Sequence, residues 1–326
     1  MYRSLMVPLD GSAFGEYALP RALGIAQRAG ARVELVHICT PPLPSLFADG
    51  LVNPAPVEPP LEQAGEQAHA YLDQLAARLS QHWSVPIKTV VRYGPAAHTL
   101  YAYALESAAS LVVMSTHGYG QLSRIWMGSV ADKLIRLLPL PILLARPAEA
   151  AIDLLADTHA PALQHVLIPL DGSALAEEIV RPAVALGRLT EARYTLIQAL
   201  DPLVMQHTKP PYSVGLDRSM LPDLRERALA YLEQIADRLR AQSLQVQTSL
   251  VVAQPHAAIL DYTHDHAVDL IAMATHGHGG VARMLLGSVA DKVVRGASVP
   301  ILLQRPAAEA AESYAVARAS LAPSPA

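Results

Sequence analysis

The chain has 326 residues, of which 52% are hydrophobic and 17% are charged, and its formal net charge is −4. This length predicts about two domains, and the negative charge argues against a non-specific nucleic-acid surface, which would be basic. The single cysteine, Cys39, excludes an intrachain disulfide framework and fits a reducing compartment. No run of about 18 apolar residues and no signal-peptide pattern occurs, so we expect a cytoplasmic protein that does not span a membrane.

The two halves of the chain repeat one order of predicted elements. The first strand ends at Asp10 in one half and at Asp171 in the other, and a helix follows each. In the first half this helix is predicted from near Ser12 to Ala29, with Gly30 as its C-cap. Later strands are predicted over residues 32–38, 86–92, 110–115 and 140–145, and over 194–200, 246–252, 269–274 and 299–304. Helices are predicted over 61–81 and 223–242, near Pro95 and Pro255, and from Ser129 and Ser288. Strands alternating with helices predict an α/β fold, with a parallel sheet covered on both faces.

The repeat also sets the expected domain boundaries. We predict one domain over residues 1–147 and a second over 165–306, with a linker at 148–164 and a mobile tail at 307–326. Proline-rich stretches at 40–60 and 202–222 are predicted loops, and loops of this length often act as lids.

One motif occurs after the fourth strand of each half, and its two copies lie 159 residues apart. It consists of Thr-His-Gly, nine residues and then Gly-Ser, and it includes Thr116, His117, Gly118, Gly128 and Ser129, and again Thr275, His276, Gly277, Gly287 and Ser288. Ligands of an open parallel sheet bind at the carboxyl ends of its strands. Helix N-termini favour anions, and glycine lets the backbone approach a phosphate closely. The motif therefore predicts a phosphate site in each half.

Each part of this motif also has a purely structural interpretation. Ser129 with Asp132, and Ser288 with Asp291, resemble capping boxes, and the sequence after each first strand could be a turn with a serine cap. A Walker-type loop, a dinucleotide fingerprint and a hydrolase nucleophile elbow are absent from the sequence. The histidines at positions 264 and 266 would face different sides of a helix, so they make a poor metal pair. The combination, present twice, favours binding.

These residues resemble the universal stress protein family, whose nucleotide-binding members carry Gly-x-x-Gly, nine residues and Gly-Ser/Thr. The resemblance covers nearly the whole chain as a tandem pair. It implies two doubly wound domains, each with a five-stranded parallel sheet of order 3-2-1-4-5. Because the last strands of the family pair across a dimer, it further implies an intramolecular pseudo-dimer, and it allows a homodimer of the tandem chain.

The resemblance also implies a site for ATP between strands one and four of each half. The nucleoside end would meet Pro8, Leu9, Asp10, Ile38 and Met114 in the first half, and Pro169, Leu170, Asp171, Ala199 and Met273 in the second. The phosphate end would comprise Thr116, His117, Gly118, Gly128, Ser129 and Val130, and Thr275, His276, Gly277, Gly287, Ser288 and Val289. Any Mg²⁺ would be held mainly by the phosphates, and no metal ligand of the protein is expected.

The chain departs from the family motif at its first glycine, which is Ser115 in one half and Ala274 in the other. Both residues are small, so we expect binding to survive with weakened affinity. Tyr119 and His278 also differ between the copies, so the two sites need not be equivalent.

The expected function is an adenine-nucleotide-binding stress-response or signalling module with no catalytic residues. A slow ATP hydrolase and a nucleotide-free interaction protein remain open. Arg124 and Arg283, inside the nine-residue spacers, either neutralise phosphate charge or face solvent. The protein partners cannot be named from the sequence.

Overall fold

The structure is a computed structural model, and it describes residues 1–41, 60–115, 127–146, 162–201, 221–276 and 286–306. The first half contains β1 (Ser4–Leu9), α1 (Ala13–Glu16), α2 (Leu19–Ala29), β2 (Arg32–Cys39), α3 (Leu61–Ser80), β3 (Ile87–Tyr93), α4 (Ala96–Glu106), β4 (Leu111–Ser115), α5 (Ser129–Leu137) and β5 (Ile142–Ala145). The second half contains β6 (His165–Pro169), α6 (Ala174–Glu177), α7 (Val180–Gly187), β7 (Arg193–Leu200), α8 (Leu221–Arg240), β8 (Val246–Val252), α9 (Pro255–Asp265), β9 (Leu270–Ala274), α10 (Ser288–Gly296) and β10 (Ile301–Gln304). A short 3₁₀ helix, Arg188–Thr190, follows α7.

The helix predicted between the first two strands is wrong as a single element, because the structure has two helices there. Pro20 lies in the first turn of α2. Proline has no N–H and its ring meets the carbonyl four residues earlier, so an unbroken helix through this position is unfavourable. The predicted C-cap is confirmed, since Gly30 has the left-handed φ of 60° and its N–H bonds to Ala26.

The chain divides into two compact units that part inside α5, between Leu134 and Ile135. In the first unit the strand order is β3-β2-β1-β4, and the pairs of β1 with β2 and with β4 are parallel. In the second unit the order is β5-β10-β9-β6-β7-β8. The five strands of the second half therefore follow the predicted order 3-2-1-4-5, and their mutual pairings are parallel.

The last strand of the first half belongs to the second unit. There β5 pairs antiparallel with β10, with Leu143 opposite Leu302 and Leu144 opposite Ile301. The predicted pairing of the two last strands within one chain is confirmed.

The central strands are almost continuously apolar and are buried on both faces, as is typical of parallel sheets. Cys39 is a buried free thiol whose pKa is raised by burial, which fits a packing role. No helix in the described part of the chain is long and apolar enough to cross a membrane. The proline-rich stretches 42–59 and 202–220, the linker residues 147–161 and the tail 307–326 lie outside the described residues.

Candidate functional site

The turn after β1 fixes the carboxylate of Asp10 at the end of the strand. Gly11 has a φ of +80°, which favours glycine over any other residue. The backbone N–H and the hydroxyl of Ser12 donate to Asp10 Oδ1 at 3.0 and 2.6 Å. Ser12 is also the N-cap of α1, because its Oγ accepts from Gly15 N at 3.0 Å. The serine cap and the position of Asp10 thus belong to one turn.

The turn after β6 repeats this geometry closely. Gly172 has a φ of +88°. Ser173 donates from its N–H and its hydroxyl to Asp171 Oδ1, at 2.9 and 2.6 Å, and accepts from Ala176 N at 3.1 Å. Asp10 and Asp171 are both exposed. Each repeat therefore holds one carboxylate in a defined orientation at the carboxyl edge of its sheet.

The start of α10 lies directly against the end of β9. Gly287 is the N-cap of this helix, and its N–H donates to the carbonyl of Thr275 at 3.0 Å. A Cβ on Gly287 would lie 2.6 Å from that carbonyl oxygen, so no other residue fits without a backbone shift. The helix begins at Ser288, which is exposed.

The capping-box interpretation is wrong for the second repeat. The residue at the cap position is Gly287, and no side chain of the described residues caps the helix there. The carboxylate of Asp291 instead accepts two bonds of 2.9 Å from Arg295, one turn later. Among the described residues, therefore, no side chain covers the first N–H groups of α10, which is the arrangement that suits an anion.

The start of α5 corresponds to that of α10. The carbonyl of Gly128 accepts from Asp132 N at 3.0 Å, and the helix begins at the exposed Ser129, as expected. Asp132 and Arg136 have the spacing and the residue types of Asp291 and Arg295.

The strand pairing brings the Asp turn and the helix start to one edge of each sheet. β1 pairs with β4 through Leu5 and Leu111, and β6 pairs with β9 through Leu167 and Ile271. Because these pairs are parallel, their carboxyl ends lie at the same edge. This is the place where open α/β sheets bind their ligands.

The residues expected at the nucleoside end fall into two groups. Pro8, Pro169, Ile38 and Ala199 are half-buried at or near the strand ends. The other four side chains are packed in the core, at 5% exposure for Leu9, 4% for Leu170, 6% for Met114 and 5% for Met273. A ligand at this edge would meet mainly the backbone of that second group.

Several residues of the predicted phosphate end lie outside the described residues, namely Thr116, His117, Gly118, Tyr119, Arg124, Gly277, His278 and Arg283. Thr275 is buried directly after β9. Its N–H donates to the Gln304 carbonyl at 2.9 Å, and its hydroxyl lies 3.1 Å from His276 Nδ1. Val130 and Val289 are half-buried in the first turns of α5 and α10.

The sequence reasoning missed a polar cluster that lies behind each Asp turn. In the first repeat it contains His37, Tyr71, Glu16 and Arg78. An alignment of the two half-sequences could have found this cluster, because every member but one has a counterpart of the same residue type. The exception is His37, whose place is taken by Gln198.

Among the described residues, no group of three or more His, Cys, Asp and Glu side chains is arranged to hold a metal ion. One histidine of the pair considered from sequence has a structural role. His266 stacks on Tyr262, with ring centroids 3.8 Å apart, and its Nδ1 lies 3.1 Å from the Tyr262 carbonyl.

Comparisons with known proteins agree with this architecture. The model of the universal stress protein family matches residues 1–146 and again 162–305, so the chain belongs to that family. It is 26% identical to a universal stress protein of Mycolicibacterium smegmatis over 93% of this chain and 97% of that protein. The crystal structure of a universal stress protein from Archaeoglobus fulgidus superposes with a TM-score of 0.65, at 17% identity, over 93% of this chain and 98% of that chain. A universal stress protein solved in complex with cAMP matches 44% of this chain and 98% of its own, at 23% identity and a TM-score of 0.34.

Proposed function

We propose that each repeat binds an adenine nucleotide, with ATP as the expected ligand, and that the protein acts as a nucleotide-dependent stress-response module. The observation that carries this proposal is the start of α10. Its first turn has no side-chain cap among the residues that the structure describes, is held against the end of β9 by Gly287, and opens at the sheet edge that also carries Asp171. Free N–H groups with a positive helix end favour phosphate, and a fixed carboxylate favours hydroxyl donors such as those of a ribose.

Binding rather than hydrolysis is the function that this geometry supports. Asp10 and Asp171 already accept two bonds each from their own serine turns, which suits an orienting role better than that of a general base. A Mg²⁺ ion accompanying the nucleotide would be held mainly by the phosphates. We further propose that nucleotide occupancy changes the surface offered to partner proteins in the cytoplasm. A homodimer of the tandem chain stays a prediction.

The phosphate assignment is tested by placing a negative charge at the two helix starts. Ser129 and Ser288 are exposed, so Asp fits at both positions. An acidic residue in the first turn stabilises a helix by roughly 0.3–1 kcal/mol, while the same charge repels phosphate. We expect Ser129→Asp with Ser288→Asp to keep or raise the melting temperature and to weaken ATP binding at least about 100-fold, or roughly 3 kcal/mol, in calorimetric titration.

The matched control is Ser129→Ala with Ser288→Ala, which removes the hydroxyls without adding charge. We expect this control to lose roughly 1 kcal/mol of binding, the contribution of a hydrogen bond. Unchanged affinity in the Asp variant would contradict the phosphate site. Failure of the unaltered chain to bind ATP, ADP, AMP or cAMP would favour the nucleotide-free interaction protein. Steady release of ADP from bound ATP would favour the slow hydrolase.

A further inference from the structure

A polar cluster lies behind the Asp10 turn, on the side of the sheet that α3 covers. The rings of His37 and Tyr71 meet edge to face, with centroids 6.4 Å apart. The Tyr71 hydroxyl donates to Glu16 Oε1 at 3.0 Å, and an Arg78 nitrogen lies 3.6 Å from Glu16 Oε2. The cluster leads from Arg78, which is half-exposed, to the imidazole beside the end of β1.

His37 is the member of this cluster next to the proposed site. It stands opposite Leu9 in the pairing of β1 with β2, and its ring bonds to the Leu9 backbone. Burial lowers the pKa of His37, and the charge of Asp10 and the bond to Leu9 oppose that shift. Within the described part of the chain no group bonds the buried Nδ1. The Asp10 carboxylate, which follows Leu9 at the end of β1, is the acidic group whose charge acts on this imidazole.

The second repeat has the same residue types in this cluster with one exchange, and its Tyr231 hydroxyl has no hydrogen-bond partner among the described residues. Tyr231, Glu177 and Arg238 take the places of Tyr71, Glu16 and Arg78, and the Arg238–Glu177 pair measures 3.3 Å. Burial raises the pKa of Tyr231, with Glu177 and Asp171 adding to the shift, and burial and Glu16 act in the same way on Tyr71. The residue at the place of His37 is Gln198, whose buried Oε1 is likewise bonded by no described group.

Successive side chains of β2 point to opposite faces of the sheet, and this shows how His37 can act on a ligand. The Glu34 side chain reaches Tyr103 on α4, so Ile38, four residues on, shares the α4 side of the strand. His37 points to the opposite side, toward Tyr71 on α3. A nucleotide that contacts Ile38 and the start of α5 therefore does not touch the imidazole, and His37 acts on it through Asp10.

We infer that His37 is a positioning residue of the first site, which makes nucleotide binding there weaken on acidification, whereas Gln198 leaves the second site without this dependence. The inference rests on the proposed function. A proton on His37 pairs the imidazolium with Asp10, and the carboxylate is then a poorer acceptor for the hydroxyls of the ligand. Binding covers the Asp10 turn and removes water from it, which also disfavours the imidazolium.

The other charged groups around His37 do not reverse the expected weakening of nucleotide binding on acidification. Glu16 already accepts a bond from Tyr71 and pairs with Arg78, both on α3, and the neighbour in register on β3 is the neutral Val91. The phosphates would lie at the start of α5, after β4, and β1 with Asp10 stands between β4 and the strand that carries His37. Asp10 is therefore the charge that decides the linkage.

Two reciprocal substitutions test this inference on the full chain. His37→Gln makes the first site like the second, and Gln198→His makes the second like the first. The probe is ATP, and the measurement is the number of protons released at saturation, from calorimetry in buffers of different ionisation enthalpy at about pH 6, near the ordinary pKa of histidine. We expect the release to rise in the order H37Q, wild type, Q198H, because the three chains carry none, one and two such histidines.

The affinity gives a second readout. Between about pH 8 and about pH 5.5 we expect the first site to lose roughly three- to tenfold more affinity than the second, and H37Q to abolish the difference. Protonation of the nucleotide itself affects both sites alike and cancels in this comparison. Circular dichroism and the melting temperature at pH 8 check that both variants are folded.

Equal proton release in the three chains, or an order that is reversed, would overturn the inference while ATP binding itself stands. If no chain binds ATP at either pH, both the proposed nucleotide site and its proposed pH dependence are wrong. In the nucleotide-free chain, NMR titration of His37 gives an independent check. Asp10→Asn is expected to move that titration to lower pH, and an unmoved titration would overturn the role of Asp10.

Discussion

Gly287 has a structural reason to be glycine that is independent of any ligand. Its N–H bonds to the Thr275 carbonyl at 3.0 Å, and a Cβ would come within 2.6 Å of the same oxygen. The sequence suggested that this glycine lets a phosphate approach the backbone. The structure adds that it lets the helix start approach the strand end, so a bulky substitution here disturbs the fold as well as any site. This is why the test of the phosphate site uses the exposed serine beside it.

The cost of this contact can be measured with a single methyl group. We expect Gly287→Ala to lower the free energy of unfolding of the second unit by roughly 2–3 kcal/mol, because the neighbouring atom is backbone and cannot move aside. Gly172→Ala, in the same unit, is the control. Its left-handed φ of +88° costs an alanine roughly 1 kcal/mol. If urea unfolding shows Gly287→Ala to be no costlier than the control, the proposed close contact is wrong.

At the scale of elements, the two repeats bury opposite kinds of titratable group within the same pair of neighbouring strands, on β2 in the first repeat and on β6, the counterpart of β1, in the second. In the first repeat Glu34, 1% exposed, accepts bonds from Ser4 at 3.0 Å, Arg32 at 2.9 Å and Tyr103 at 2.5 Å. Burial disfavours the charged carboxylate, but these three donors prevail and lower its pKa. The carboxylate is therefore buried in its ionised form with its acceptors occupied.

In the second repeat Thr195 takes the place of Glu34, and the buried titratable group is an imidazole at the place of Ser4. His165, 3% exposed, has Nε2 at 2.8 Å from the Thr195 hydroxyl and Nδ1 at 3.1 Å from the His266 carbonyl. Burial lowers the pKa of His165, and the nearby Arg193 adds to that shift while Asp269 opposes it. The imidazole is therefore buried in its neutral form.

The contributions of these two groups to stability are expected to be lost in different pH windows. The His165 pKa lies below its ordinary 6.5, so the unfolded chain gains a proton first and stability is lost as pH falls from about 6.5 toward the folded-state pKa. The Glu34 pKa lies below its ordinary 4.5, so its stabilisation is complete above that value and is lost as pH falls through the folded-state pKa. We expect the contribution of His165 to be lost at a higher pH than that of Glu34, as urea unfolding followed at several pH values should show.

Two substitutions, one at His165 and one at Glu34, test the two pH ranges separately. His165→Gln is expected to cost roughly 1–3 kcal/mol at pH 7 through its lost hydrogen bonds, and to remove the loss of stability between about pH 6.5 and pH 5. Glu34→Gln is expected to leave that window unchanged and to flatten the profile below about pH 4.5. A His165→Gln profile parallel to that of the unaltered chain would refute the assignment.

Local sequence signals predicted most of the elements, and contacts between distant residues account for what they missed. The left-handed cap at Gly30 and the starts of α5 and α10 follow from residues adjacent in sequence. The break before α2 could also have been predicted from Pro20. The capping box at Ser288 failed because Asp291 has a stronger partner one turn on. The cluster around His37 joins three elements, and its members have no common spacing in sequence.

At the scale of the whole molecule, the first half of the chain completes the sheet of the second unit. β5 supplies Leu143, 1% exposed, opposite Leu302 of β10, 0% exposed. The two residues are 159 positions apart in sequence and belong to corresponding strands of the two repeats. Their pairing makes the second unit depend on a strand that its own repeat does not encode.

A double-mutant cycle tests this cross-strand contact. Leu143→Ala and Leu302→Ala are each expected to cost roughly 2–4 kcal/mol of the free energy of unfolding of the second unit. Because the side chains are directly opposed, we expect a coupling energy of roughly 0.5–1 kcal/mol between them. Leu143→Ala combined with Leu196→Ala, on β7 of the same unit, is the control and should be additive within about 0.5 kcal/mol.

If the strands pair within one chain, the melting temperature will not depend on protein concentration, whereas a strand exchanged between two chains would raise it at higher concentration. Additivity of the Leu143 and Leu302 pair, or a melting temperature that rises with concentration, would contradict the pairing of β5 and β10 within one molecule.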